Sequence, residues 1–140
     1  MPSNPIRWLN RDAVLAAHEV SLSRFGGSPG IRDEHLLDSA LARPEMIAHY
    51  EPTATVYRLA AAYAFGLAKN HAFVDGNKRI GFLAAYMFLR DNGYRLIATE
   101  QEVVELMLAV ASSAMGEDQV AEFFASRTVE ASLDTQRPQQ

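Results

Sequence analysis

The sequence predicts an all-α fold, a compact domain of about six helices interrupted by a short irregular stretch, a loop or hairpin. Three observations carry this. Apolar residues recur at helical spacing along most of the chain. Two uncharged apolar runs, 59–68 and 80–89, are each ten residues long, longer than a typical strand and well short of the ~20 residues that cross a bilayer. Helix starts and stops are also punctuated by capping residues and glycines.

Taken in order, Asn10 precedes a segment carrying Ala13, Val14, Ala17, Val20 and Leu22, closed by Gly26-Gly27. Ser28-Pro29-Gly30 is a turn, and Asp33 caps a short helix that runs to about Arg43, where Pro44 follows. Between Pro44 and Pro52 the periodicity is ambiguous, and a loop or short hairpin fits as readily as a helix. Thr53 or Thr55 opens a helix with Val56, Leu59, Ala60, Tyr63 and Leu67; it is apolar almost all round and belongs in the centre. Asp75-Gly76 begins the next helix, which carries Ile80, Leu83, Tyr86, Met87 and Phe88 and ends at Asn92-Gly93. Tyr94 to Ile97 reads as a short extended piece. Thr99-Glu100-Gln101-Glu102 is a capping box for a helix through Met115, Gly116 breaks it, and Val120 to Ser126 forms a last helix. Residues 1–130 are expected to be one domain and 131–140 a frayed tail.

Composition narrows the class. A chain of 140 residues with 49% hydrophobic and 21% charged residues is long enough for one ordinary core. Cysteine is absent, which excludes disulfides, thiolate metal sites and cysteine nucleophiles. A net charge of −4 argues against a broad nucleic-acid surface, which needs a basic face. The first residues lack both the basic end and the apolar stretch of a secretory signal, so a soluble, cytoplasmic protein is expected, with no membrane partner.

One segment carries chemistry: His71-Ala72-Phe73-Val74-Asp75-Gly76-Asn77-Lys78-Arg79. It joins the two most apolar helices, so both its ends are fixed against the core. Gly76-Asn77-Lys78-Arg79 falls at a helix start, where unpartnered N–H groups carry partial positive charge and two cations add to the field. That suits an anion, phosphate above all. Asp75 beside an anion site suits a bridging Mg²⁺, which takes one or two carboxylates together with phosphate oxygens. His71 can accept a proton near neutral pH. Simpler roles remain open for each residue. Asp75 could cap the helix, His71 could end the preceding one, Lys78 and Arg79 could be a solvated first turn, and Phe73 is read as a core anchor. The four histidines, His18, His35, His49 and His71, lack metal-ligand spacing.

These nine residues resemble the signature of the death-on-curing toxins, a branch of the Fic fold. The likeness extends to His18, Phe25-Gly26-Gly27, Gly30-Ile31-Arg32-Asp33, the run from Leu36 to Pro44, and Phe88-Leu89-Arg90-Asp91-Asn92-Gly93, and so covers roughly residues 9–127. The resemblance implies a helical domain that binds ATP with Mg²⁺ and modifies a hydroxyl on a target protein. Wider Fic relatives transfer adenylyl groups; the death-on-curing branch phosphorylates a threonine of translation elongation factor Tu and is silenced by a cognate antitoxin.

Carried across, His71 would be the general base, Asp75 would hold Mg²⁺, Gly76 and Asn77 would form the anion hole, and Lys78 and Arg79 would grip the phosphates. The stretch after Arg43-Pro44 would correspond to the flap that aligns the target peptide. Lys78 stands where adenylyl transferases of the fold have glycine, and Phe82 where they have a second arginine; both changes favour phosphoryl over adenylyl transfer. Ala72 replaces the usual proline. Ser113 with Glu117 and Ser126 with Glu130 have the spacing of a self-inhibitory helix, but Asp118 and Ala131 follow, so inhibition from a separate protein is expected. A catalytically silent module that binds a nucleotide or a partner is the alternative from another class.

Overall fold

The computed structural model describes residues 5–131. Six helices and two short strands follow one another as α1 (Arg11–Phe25), α2 (Glu34–Tyr50), α3 (Val56–Asn70), α4 (Asn77–Asp91), β1 (Tyr94–Leu96), α5 (Glu100–Ala111), α6 (Glu117–Ser126) and β2 (Thr128–Glu130). The all-α class and the helix count agree with the sequence. No helix among the described residues is long and apolar enough to cross a membrane.

α3 is the axis of the domain. Leu59 to Ala64 and Leu67 are fully buried, so nearly every face meets another element, and each large aliphatic side chain contributes about 1.5–3 kcal/mol of burial. α4 crosses α3 closely at Gly81, where an added Cβ would stand 2.8 Å from the Ala64 carbonyl oxygen. α2 and α6 cover other faces of α3. The segment before α1 is tied to the same core, since the Leu9 N–H donates to the Tyr63 hydroxyl at 3.1 Å and Trp8 stacks on Phe88. Burial pushes the Tyr63 phenol up to about 12.

The caps read from sequence form as expected. Asn10, Asp33 and Thr55 accept from the N–H of Ala13, Leu36 and Arg58, which chooses Thr55 over Thr53. Thr99 and Glu102 close a reciprocal capping box.

Four boundaries differ from the sequence reading. α2 does not end near Arg43; it continues through Pro44 to Tyr50, so the expected loop or hairpin over 44–52 is mostly helix. An interior proline forfeits one helical hydrogen bond and strains the preceding turn, at about 3 kcal/mol. Burial of Pro44 and Ile47 opposes that cost, and ion pairs brace the helix end. Arg43 and Arg58 both grip Glu117, at 2.7 and 2.6 Å, and Arg58 also pairs with Glu51 at 3.2 Å. Only 51–55 is left as a connector. α5 stops at Ala111 rather than Met115, and α6 begins at Glu117 rather than Val120. The fourth difference is β2, which pairs antiparallel with β1 in the register Tyr94↔Glu130, Arg95↔Val129 and Leu96↔Thr128. The Ala131 N–H continues that ladder to the Gly93 carbonyl; the remainder of the expected tail, 132–140, lies outside the described residues.

Candidate active site

The segment 71–76 is held against the α1–α2 connector rather than hanging free between its helices. Ile31 and Phe73 form an antiparallel bridge. On either side of it Val74 N–H donates to the Gly30 carbonyl at 3.0 Å, and the N–H groups of Arg32 and Asp33 converge on the Ala72 carbonyl at 2.7 and 3.0 Å. Phe73 is buried and stacks on the ring of His18 with centroids 3.8 Å apart, so it is the anchor the sequence suggested.

His71 is the C-terminal cap of α3, in left-handed conformation at φ 53°. Most non-glycine residues avoid this region, and one held there needs support from its surroundings. Arg32 supplies it. Its Nε donates to the His71 carbonyl at 2.7 Å and its Nη2 to the Asn70 carbonyl at 3.3 Å, placing a cation on the last carbonyls of α3 where the helix dipole favours one. The His71 side chain is exposed. The capping role and the chemical role suggested by sequence are therefore compatible: the backbone caps and the imidazole stays accessible.

Asp75 is not the cap of α4. Gly76 takes that position in left-handed conformation at φ 78°, which costs glycine nothing. The Asp75 carboxylate instead accepts two backbone N–H groups, Ser28 at 3.1 Å on Oδ2 and Gly76 at 3.0 Å on Oδ1. The Ser28 N–H, then the Gly76 N–H, then the Arg79 and Lys78 charges, hold its pKa below the usual carboxylate value. Gly27 permits the approach, because a Cβ there would lie 3.1 Å from Asp75 Oδ2 and 2.8 Å from the Leu22 side chain.

Asn77 turns its side chain inward. Its Oδ1 accepts from the Phe73 N–H at 3.1 Å and its Nδ2 donates to the Phe73 carbonyl at 3.0 Å. Asn77 can therefore serve an anion only through its backbone. No side chain caps the α4 N-terminus, and the first N–H groups of a helix have no partner within it. Lys78 and Arg79 on that first turn are exposed. The Arg79 guanidinium lies over the Phe25 ring, 4.5 Å from its centroid, a cation–π contact that restrains its direction.

A cavity of about 890 Å³ opens in front of this turn, within the size range of small-molecule sites. Asp75, Gly76, Asn77, Lys78 and Arg79 form one end and apolar side chains such as Leu83, Tyr86 and Met107 the other; Phe82 also lines it. His71 stands outside this lining, four residues before Asp75.

The donor set bears on the metal. Among the described residues no three His, Asp or Glu side chains converge on a metal position, so these residues offer no cage of their own. One ionised, immobilised carboxylate beside an anion-attracting helix end fits Mg²⁺ shared with phosphate oxygens, since that ion is commonly held by one or two carboxylates plus its substrate.

Ser28, Arg32 and the ring of Phe25 were not among the site residues expected from sequence. Two act through backbone N–H groups or carbonyls, which no side-chain pattern reports. His18, Phe25 and Arg32 were visible only as part of a family likeness.

The Fic/DOC family model matches residues 8–89, from just before α1 to near the end of α4. "Protein kinase doc" of Escherichia phage P1 is 28% identical over 117 residues, covering 84% of this chain and 92% of the relative. "Toxin Doc" of Mycolicibacterium smegmatis is 42% identical over 92 residues, covering 65% of this chain and 68% of the relative.

Proposed function

Because the chain belongs to the Fic/DOC family, we propose that it is a Doc-type toxin. In this reading it transfers the γ-phosphate of ATP to a hydroxyl of a target protein, a threonine of elongation factor Tu being the expected acceptor. The observation that carries this reading is the end of the cavity where Asp75, the uncapped α4 N-terminus, Lys78 and Arg79 meet. The relative named as a protein kinase supports phosphoryl transfer.

The chemistry follows from the residues. The N–H groups of the first α4 turn receive phosphate oxygens, and Lys78 and Arg79 offset the remaining charge. Asp75 would hold Mg²⁺, which when bound neutralises phosphate charge. His71 takes the proton from the acceptor hydroxyl; that oxygen bonds to the γ-phosphorus as the bond to the β-bridging oxygen breaks, and ADP leaves. Positioning and charge neutralisation supply most of the rate in such a transfer. Lys78 is a point charge where a glycine would let a diphosphate approach the backbone, and this supports γ over α transfer. A cognate antitoxin is the expected partner, because no self-inhibitory motif is legible in the sequence.

Incubation with elongation factor Tu and ATP labelled at the γ or the α position tests the proposal. Target labelled from the γ position only is expected. Label from the α position would establish adenylyl transfer, and no label from either, with Mg-ATP still bound, would leave a silent binding module.

A further inference from the structure

His18 is buried at 4% exposure and takes no part in the chemistry above. Its Nε2 lies 2.8 Å from the Asp75 carbonyl oxygen. A carbonyl can only accept, so the ring carries its proton on Nε2 and donates. That carbonyl belongs to the Asp75–Gly76 peptide unit, whose N–H is bound at 3.0 Å by the Asp75 carboxylate. One rigid plane is therefore held at both ends, by an imidazole on one side and by the proposed metal-binding carboxylate on the other. Rotation of the plane would carry the Gly76 N–H away from Oδ1 and leave the carboxylate with Ser28 alone. The His18 ring is itself fixed, stacked on the buried Phe73 with centroids 3.8 Å apart.

We propose that His18 is a positioning residue for the metal and phosphate end of the site. By fixing the Asp75–Gly76 peptide plane, its Nε2–H fixes the direction of the Asp75 carboxylate. This inference rests on the reading of Asp75 as the magnesium-binding group.

Three substitutions separate the hydrogen bond from the stack. His18→Phe keeps a ring but has no donor. His18→Gln carries an amide N–H at about the reach of Nε2, and His18→Asn carries the same amide one carbon short. Amide hydrogen exchange of Gly76 and Ser28, measured by NMR on the full chain without nucleotide, should be as slow in the Gln variant as in the wild type. It should be about tenfold faster in the Phe and Asn variants, as for a lost hydrogen bond, with amides of 59–67 unchanged. Calorimetry should show Mg-ATP affinity within about threefold of wild type for Gln and about tenfold weaker for Phe and Asn.

Unchanged Gly76 and Ser28 exchange in the Phe and Asn variants would overturn the proposal. So would equal loosening in the Gln and Asn variants together with the core amides, which would make His18 a packing residue only. If the Phe variant does not fold, the comparison of Gln with Asn still decides. A wild-type chain that binds no Mg-ATP would refute the functional reading, while the exchange rates would still judge the role of His18.

Discussion

Asn77 closes a ring on Phe73, accepting its N–H and donating to its carbonyl at 3.1 and 3.0 Å. The first residue of α4 thereby folds back over the middle of the loop that precedes it, and the bend between His71 and Lys78 is locked from inside. Asn77→Ala should cost about 1–2 kcal/mol for the two lost bonds. Asn77→Asp should be no better, because it keeps the acceptor but turns an oxygen toward the Phe73 carbonyl. Denaturant unfolding of the two variants checks this, and wild-type stability in Asn77→Asp would contradict it.

His71→Ala should slow phosphoryl transfer by about 10²–10⁴, the usual loss of a general base, while Mg-ATP affinity stays close to wild type. Transfer that persists at the wild-type rate would remove His71 from the mechanism.

Arg32→Ala frees the His71 and Asn70 carbonyls. The imidazole should then be less well aimed, giving roughly tenfold slower transfer at saturating ATP. The Mg-ATP affinity and the unfolding midpoint should move little. A rise in KM for ATP without a fall in kcat would show that Arg32 acts on the nucleotide instead.

Gly81→Ala would press a Cβ to 2.8 Å from the Ala64 carbonyl oxygen and 3.3 Å from the Ala68 nitrogen. Backbone cannot yield as a flexible side chain does, so α3 and α4 must separate, at about 1–3 kcal/mol. Chemical denaturation measures the loss; an unchanged midpoint would mean that the crossing has room for a methyl group.

Glu102 is held at about 2, first by hydrogen bonds from Arg127 and then by the Thr99 N–H. Its ordinary value of 4.5 is higher, so the folded state prefers the ionised form. The resulting stabilisation is complete above about pH 4.5 and is lost as pH falls through about 2. Glu102→Gln should therefore be less stable than wild type at pH 7, and the gap should narrow toward pH 2. A gap that does not depend on pH would exclude the ionised carboxylate as its source.

Much of this fold was legible because local rules and tertiary packing agree. Asn10, Asp33, Thr55 and Thr99 cap helices that the apolar spacing had already marked. The rule failed at Pro44, where burial of the proline and Ile47, with the Arg43–Glu117–Arg58 bracing, outweighs the local preference to stop. β2 was missed because 128–130 carries no alternation long enough to read, and it exists through pairing with Tyr94 to Leu96. At the candidate site the residue types of 71–79 were legible, but their division of labour was not. Sequence cannot tell that the Asn77 amide faces inward, that Gly76 rather than Asp75 caps α4, or that Ser28 and Arg32 act across the connector.

The hydrogen bonds that tie 71–75 to the neighbouring connector and α1 come from residues 18–33, whereas the apolar wall of the cavity takes Leu83 and Tyr86 from α4 and Met107 and its neighbours from α5. Geometry of reaction and the α5 side of the enclosure are thus encoded in different stretches of the polypeptide. Mutation can remodel the second without disturbing the first, which leaves descendants of this chain able to change what they accommodate while keeping how they react.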